Sequence, residues 1–265
     1  MSLQLDSMPQ QSLPASVYVL GVRVDRVSQL QVLDKIDQLI TSRRASGNTL
    51  PCQQVVTVNT EFVMAAQKNS EFRQTINSAA LAVADGIGVV WATRFVGFPT
   101  PERITGTDTL VALAKRCAEK DYRIYLLGAA PGIAEQASVY LQALAPGLQI
   151  AGTYAGSPAP TEEDAIIERI HAANADILCV AYGAPAQDLW IYRNLTRLPA
   201  AIGMGVGGAY DFLSGRQRRA PRIMQRMGLE WLYRLYREPW RWKRMLAIPH
   251  FLIQVLLRGR KKHDE

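Results

Sequence analysis

The pattern in this chain best suited to chemistry is an acid at the end of an apolar run. Residues 81–84 are apolar, and Asp85-Gly86-Ile87-Gly88 follows directly. Such an aspartate has two uses: it caps a helix over residues 87–95, or it stands at the floor of a cleft as a general base. Asn59, just after the β-branched run 54–58, has a parallel pair of uses, as a helix cap or as an amide that reads sugar hydroxyls or a base. A third candidate is Gly128-Ala-Ala-Pro-Gly132, which follows the run 123–127 and opens a helical pattern. Its helix-start amides could hold phosphate, with Gly128 at the contact, or the segment is a tight turn. The next strand ends in Gly152-Thr153 and offers no acid to hold a ribose, so a nicotinamide dinucleotide is excluded.

Other chemistries lack their residues. The chain contains no Asp-x-Asp, and His171, His250 and His263 are isolated in sequence. A carboxylate cradle for a divalent ion on a nucleotide sugar is therefore not expected, and no metal or cofactor is expected. No serine nucleophile elbow is present either. Negative charge that develops in a reaction must then be met by arginine.

The elements that would position these groups alternate. Residues 17–24, 54–58, 81–84, 123–127, 149–151, 177–181 and 201–206 read as strands. Between them, Ser28 precedes a helical pattern with apolar residues at 30, 32, 33, 36, 39 and 40. Residues 107–120 and 131–144 are helical patterns, the latter with Pro131 in its first turn. Thr161 heads another, where Asp164 could close a capping box. The class expected is α/β: a mainly parallel, Rossmann-like sheet with helices on both faces, and working loops beyond the carboxyl ends of the strands.

Charge divides the chain. Residues 216–265 hold 14 Lys and Arg against 4 Asp and Glu, a net of +10; the whole chain is +7, so residues 1–215 carry −3. The basic part interleaves Trp231, Tyr233, Tyr236, Trp240 and Trp242 with Arg234, Arg237, Arg241 and Arg244. Arginines that solvate helix faces and aromatics that merely pack are one account of it. The other is a helical appendage built for a surface of phosphates, with arginines able to clamp a diphosphate. The expected organisation is a disordered leader over 1–16, a catalytic α/β domain over 17–215 and the basic appendage over 216–265. The leader has neither a basic start nor an apolar run and does not read as a signal peptide. The apolar stretch 245–257 is interrupted by Pro249, His250 and Gln254 and is too short to span a bilayer. Cys52, Cys117 and Cys179 lie far apart in apolar contexts, as reduced thiols of a cytosolic protein do.

Several segments together resemble a known family. TVNTEFV (57–63), ADGIG (84–88), PERITGTD (101–108), LLGAAPG (126–132), YGAPAQDLWI (182–191), GVGGAYDFLSG (205–215) and the RAP…GLEWLYRLYREPWRWKR run (219–244) resemble, in order, the motifs of the WecG/TagA/CpsF glycosyltransferases. The resemblance covers roughly residues 17–250. It implies an inverting, metal-independent transferase. The donor is a UDP-sugar and the acceptor a polyprenyl-diphosphate-linked sugar in cell-surface polysaccharide synthesis. The best-known members transfer N-acetylmannosamine or its uronic acid to N-acetylglucosamine. On the same resemblance Asp85 aligns with the proposed base, and Thr57, Asn59, Arg103, Gln187 and Asp211 with polar pocket residues. Arg234, Arg241 and Arg244 align with appendage arginines that close over the nucleotide diphosphate and reach the membrane. Asp188 stands where many members have Glu, and Ala186, where Lys is common, removes a charge near the donor. The implied partners are the two substrates and an anionic membrane surface, with no nucleic acid. Homo-oligomerisation stays open. The implied location is cytoplasmic, peripheral on the inner face of the membrane. The competing class is a non-enzymatic protein that grips a membrane or nucleic acid through phosphates.

Overall fold

A computed structural model describes residues 15–258, except the side chains of Arg226 and Arg241. The expected leader falls outside the described residues up to position 14, and Ser16 already opens the first strand. The strands are β1 (Ser16–Val19), β2 (Val22–Asp25), β3 (Gln53–Val58), β4 (Leu81–Ala84), β5 (Arg123–Gly128), β6 (Gln149–Tyr154), β7 (Ile177–Ala181) and β8 (Ile202–Gly205). The first helices are α1 (Gln29–Ala45), α2 (Thr60–Ala66), α3 (Ser70–Ser78), α4 (Ile87–Phe95), α5 (Gly106–Lys120), α6 (Ile133–Leu144) and α7 (Glu163–Ala173). They are followed by α8 (Ala186–Asn194), α9 (Ala209–Leu213), α10 (Arg222–Arg226), α11 (Glu230–Arg237), α12 (Trp242–Met245) and α13 (Ala247–Arg258).

Six strands form one parallel sheet in the order β4-β3-β8-β7-β5-β6. Successive residues point to opposite faces, so each strand feeds two cores. Val55, Leu81, Val83, Ile124, Leu126, Cys179 and Met204 join helices α1, α5, α6 and α9 on one face. Val56, Val58, Ala82 and Ala84 face the other way, into α2, α3 and α4. Tyr125, Leu127, Leu178 and Val180 continue that second face under α7 and α8. The sheet is thus covered on both faces, a Rossmann-like α/β fold. All three cysteines are buried and free.

The structure departs from the sequence expectations at four local points. The run 17–24 is a hairpin rather than one strand: β1 pairs antiparallel with β2 around Leu20 and Gly21, which take φ of +51° and +81°. Two consecutive positive φ values match the twist of a tight hairpin. Helix α6 starts at Ile133 with Gly132 before it at φ +81°, so Pro131 lies in the preceding turn. Thr161 is not the cap of α7. Pro160 opens a short 3-10 turn over Pro160–Glu162 that absorbs Thr161, and Asp164 pairs with Arg197 instead of closing a box. Asp85 does not cap α4; that place belongs to Gly86, with no side-chain bond. At α1, by contrast, Ser28 and Gln31 form the full capping box.

The segment beyond Gly215 returns to the body. Phe251 and Val255 of α13 are fully buried in the same core as β1–β4, α2, α3 and α4. Among the described residues no helix is long and apolar enough to cross a membrane.

Candidate active site

The loops after β3, β4, β7 and β8 open at one rim and meet the returning C-terminal segment around a cavity of about 770 Å³. Rim loops at the carboxyl ends of parallel strands are where ligands bind in open α/β sheets. Among the residues at this cavity are Thr57, Asn59, Asp85, Arg103, Gln187, Asp211, Arg234 and Arg244. Residues far apart in the chain, and singled out from sequence, are therefore brought to one place.

Asp85 is positioned by its backbone. Its N–H donates to the Val58 carbonyl at 2.8 Å, which continues the β3–β4 pairing for one residue. Gly86 then takes φ +115°, a conformation that side chains avoid. The turn leaves the carboxyl facing the cavity and α4 without a side-chain cap. Burial pushes the Asp85 pKa up to about 6. Arg234 and, more weakly, Arg103 pull it down, Glu230 pushes it up, and the Gly106 N–H at the start of α5 bonds the carboxylate. A carboxylate with that value is ionised in most molecules at neutral pH and is a stronger base than an exposed aspartate.

The neighbours divide into groups that hold the frame and groups that can meet a ligand. Asn59 caps α2: its Oδ1 accepts from the Phe62 N–H at 3.1 Å, so the amide NH₂ is what it can offer a ligand. Gln187 is 2% exposed, and its Oε1 accepts from the N–H groups of Gly183 at 3.1 Å and Gly207 at 3.0 Å. One side chain thus ties the loop after β7 to the loop after β8. Thr57 is buried beside Gly106. Asp211 on α9 lies 3.7 Å from Arg216.

The C-terminal segment supplies the cations. Arg234 on α11 lies 4.6 Å above the Phe212 ring and within electrostatic reach of Asp85. Arg244 donates twice to Glu61 Oε2, at 3.0 and 2.6 Å. The side chain of Arg241 lies outside the described residues. Gly228, between α10 and α11, packs so closely on α4 that a Cβ there would sit 2.8 Å from Ile87.

Two results differ from the sequence reading. Gly128 is not among the residues that line this cavity. Its φ is +98°, and a Cβ would lie 2.8 Å from the Ala181 carbonyl carbon, so closeness to β7 accounts for the glycine. Arg219 received no role from sequence, yet it is the firmest ionic contact between the two parts. Its Nη1 and Nη2 meet Asp108 at 2.5 and 2.9 Å, and its Nε meets Glu230 at 3.1 Å. Asp108 is held below the usual carboxylate range, first by that guanidinium. Trp91 and Trp231 also line the cavity. Among the described residues no three His, Cys, Asp or Glu side chains cluster as metal ligands.

Comparison with known proteins agrees with this architecture. The model of the glycosyl transferase WecG/TagA/CpsF family matches residues 17–265. A Bacillus spizizenii protein, N-acetylglucosaminyldiphosphoundecaprenol N-acetyl-beta-D-mannosaminyltransferase, is 34% identical over 229 residues, 84% of this chain and 88% of the relative. A Bacillus subtilis protein of the same name is 35% identical over 208 residues, 78% of this chain and 80% of the relative. The chain belongs to the WecG/TagA/CpsF family of glycosyltransferases.

Proposed function

We propose that this glycosyltransferase moves a hexose of the N-acetylmannosamine type from a UDP-sugar to a polyprenyl-diphosphate-linked N-acetylglucosamine, with inversion and without a metal ion. The observation that carries the reading is Asp85. A carboxyl poised near 6 shares one cavity with arginines from the C-terminal segment. In the reaction the acceptor hydroxyl attacks the anomeric carbon from the face opposite the nucleotide. The new C–O bond forms as the bond to the UDP oxygen breaks. Asp85 takes the hydroxyl proton, and the electron pair leaves on UDP. Arg234, with Arg103 and Arg244 in the same cavity, would meet that charge. Among the described residues no three acids, histidines or cysteines cluster as ligands, and Glu61 and Glu230 at the cavity are each held by an arginine, which supports metal-independent neutralisation.

The division of labour suggested by charge is part of the same proposal. Residues 17–215 hold the base and the sheet rim. Residues 216–265 close the cavity and dock on anionic lipid at the inner face of the membrane, as a lipid-bound acceptor requires. The activity for which the two relatives are named supports the identity of both sugars.

The test uses the purified full-length protein, a panel of UDP-sugars and a lipid-diphosphate N-acetylglucosamine acceptor, with products read by mass. Transfer from UDP-N-acetylmannosamine that survives EDTA is expected. No transfer from any UDP-sugar would end the reading; activity that EDTA abolishes and added Mg²⁺ or Mn²⁺ restores would end its metal-free part.

A further inference from the structure

Helix α13 is apolar on more faces than its packing needs. Phe251 and Val255, four apart, are buried in the core against α2 and α4. Ile248, Leu252 and Leu256, also at spacings of four, form a second stripe beside the first and line the catalytic cavity. Ile253 and Leu257 form a third stripe, 54% and 69% exposed, with Leu246 just before the helix at 55%. The polar residues His250 and Gln254 bond to each other and occupy one narrow sector. A helix needs one apolar face for a core. This one has a second face on the active-site cavity and a third on the outside.

The cavity is polarised to match. Thr57, Asp85, Arg103 and Arg234 are polar residues of its lining, whereas Ile87 and Trp91 of α4 line the same cavity as the second stripe of α13. Ile87 is 45% exposed and Leu256 57%, so this apolar side runs to the surface. A nucleotide sugar has nothing to bury there. A prenyl chain attached to a diphosphate does, and exposing such a channel to water without an occupant is unfavourable.

We propose that the channel between α4 and α13 holds the first isoprene units of the acceptor. Ile87, Trp91, Ile248, Leu252 and Leu256 are then the residues that select a lipid-linked acceptor over a short-chain one. The inference rests on the transferase reading above and goes beyond it. The outer stripe lies in lipid, the middle stripe lines the channel, and the chain passes from one to the other along a single helix without crossing water. The acceptor's diphosphate follows at the inner end of the channel, and the sugar it carries presents its hydroxyl to Asp85.

The experiment compares kcat/KM for two acceptors that carry the same sugar diphosphate. One has a long polyprenyl chain in non-ionic micelles, and the other a short alkyl chain free in solution. The Ile248→Ser/Leu256→Ser variant should lower the long-to-short ratio by about tenfold or more, since several apolar carbons lose their contacts. The Val139→Ser/Leu144→Ser variant, at exposed apolar positions of α6 that do not line the cavity, should leave the ratio at its wild-type value. A ratio unchanged in the inner variant, or both acceptors falling together, overturns the proposal. A second arm needs no turnover: wild-type protein is irradiated with a prenyl diphosphate that carries a benzophenone on its first isoprene units. Crosslinks on peptides of α4 and α13 are expected; crosslinks confined elsewhere overturn the proposal. If wild type transfers to neither acceptor but crosslinks at α4 and α13, the transferase reading fails and the prenyl channel stands. If it transfers equally well to both acceptors, the channel fails and the reading stands.

Discussion

Replacing Asp85 with asparagine separates its chemistry from its structural cost. The side chain keeps its size and an oxygen that can accept the Gly106 N–H, but it can take no proton. A positioned base is worth about 10²–10⁴-fold in rate, so turnover with saturating substrates should fall by that order. Stability should move the other way. Burial raises the Asp85 pKa from 3.8 to about 6. A folded-state value above the unfolded one means that the fold favours the protonated acid. The penalty is absent well below pH 4, builds as pH rises toward 6, and is complete above it. A shift of about two units corresponds to about 3 kcal/mol at most. Asparagine pays none of it, so the variant should melt above wild type at pH 7, and the two should converge near pH 4. The acid limb of the kcat/KM profile, expected near pH 6 in wild type, should vanish with the residual activity. Turnover at the wild-type level, or a surviving acid limb, would refute the assignment. A variant that melts lower at pH 7 would return Asp85 to a structural role.

Arg234→Ala should lower kcat by about 10²–10³-fold, because one preorganised donor to the leaving diphosphate is gone. It should also move the acid limb to higher pH, since Arg234 is the strongest influence holding the Asp85 pKa down; Arg234→Lys should restore the limb better than the rate. An unmoved limb in the kcat/KM profile would uncouple the two residues. Gln187→Leu should strand the Gly183 and Gly207 N–H groups and cost about 1–3 kcal/mol for each that stays buried, read by urea denaturation. A midpoint at the wild-type value would show that the two loops do not depend on it. Phe251→Ala should cost about 3–5 kcal/mol, as for a buried phenylalanine in a core, and a surface-like loss below about 0.5 kcal/mol would detach α13 from the body. Tyr236→Ala, at an 81% exposed position, should leave the melting temperature alone and weaken binding to anionic vesicles in a flotation assay. Unchanged flotation would take α11 out of the docking surface.

What the sequence made legible was whatever depends on neighbours along the chain. Strand 81–84 and its acid, strand 177–181 and the helix that follows Ser28 are local patterns, and they occur where the sequence pattern places them. The hairpin at 17–24 escaped because its turn uses Leu20 at positive φ, a residue that carries no turn signal. Helix α3 escaped although Asn69 caps it, because it is only nine residues long, and the seven-residue α2 was legible only as the cap that Asn59 offered. Arg219 was invisible for a different reason. Its partner Asp108 is 111 residues away, and only the fold brings the pair together. Residues 245–257 read as too short to cross a membrane, which is so, but their pattern alone does not say that Phe251 enters the core while Leu252 lines the cavity.

The two uses that charge suggested for the appendage, surface attraction and a diphosphate clamp, separate by geometry. Arg219 is held by two carboxylates, one of them in bidentate form, and its side chain is only 22% exposed. Its place is that of a pin between α5 and α11. Arg244 is different: its side chain is 49% exposed and its partner Glu61 is 28% exposed. An ion pair that open to water is worth about 0–1 kcal/mol. A diphosphate, with more charge and more acceptor oxygens than one carboxylate, can displace Glu61 at small cost. Arg234 completes the arrangement, because it already faces the base across the cavity. The basic segment therefore needs no large rearrangement to go from holding itself down to holding a substrate. Under the proposed function, Arg219 keeps α11 in place while Arg244 changes partner.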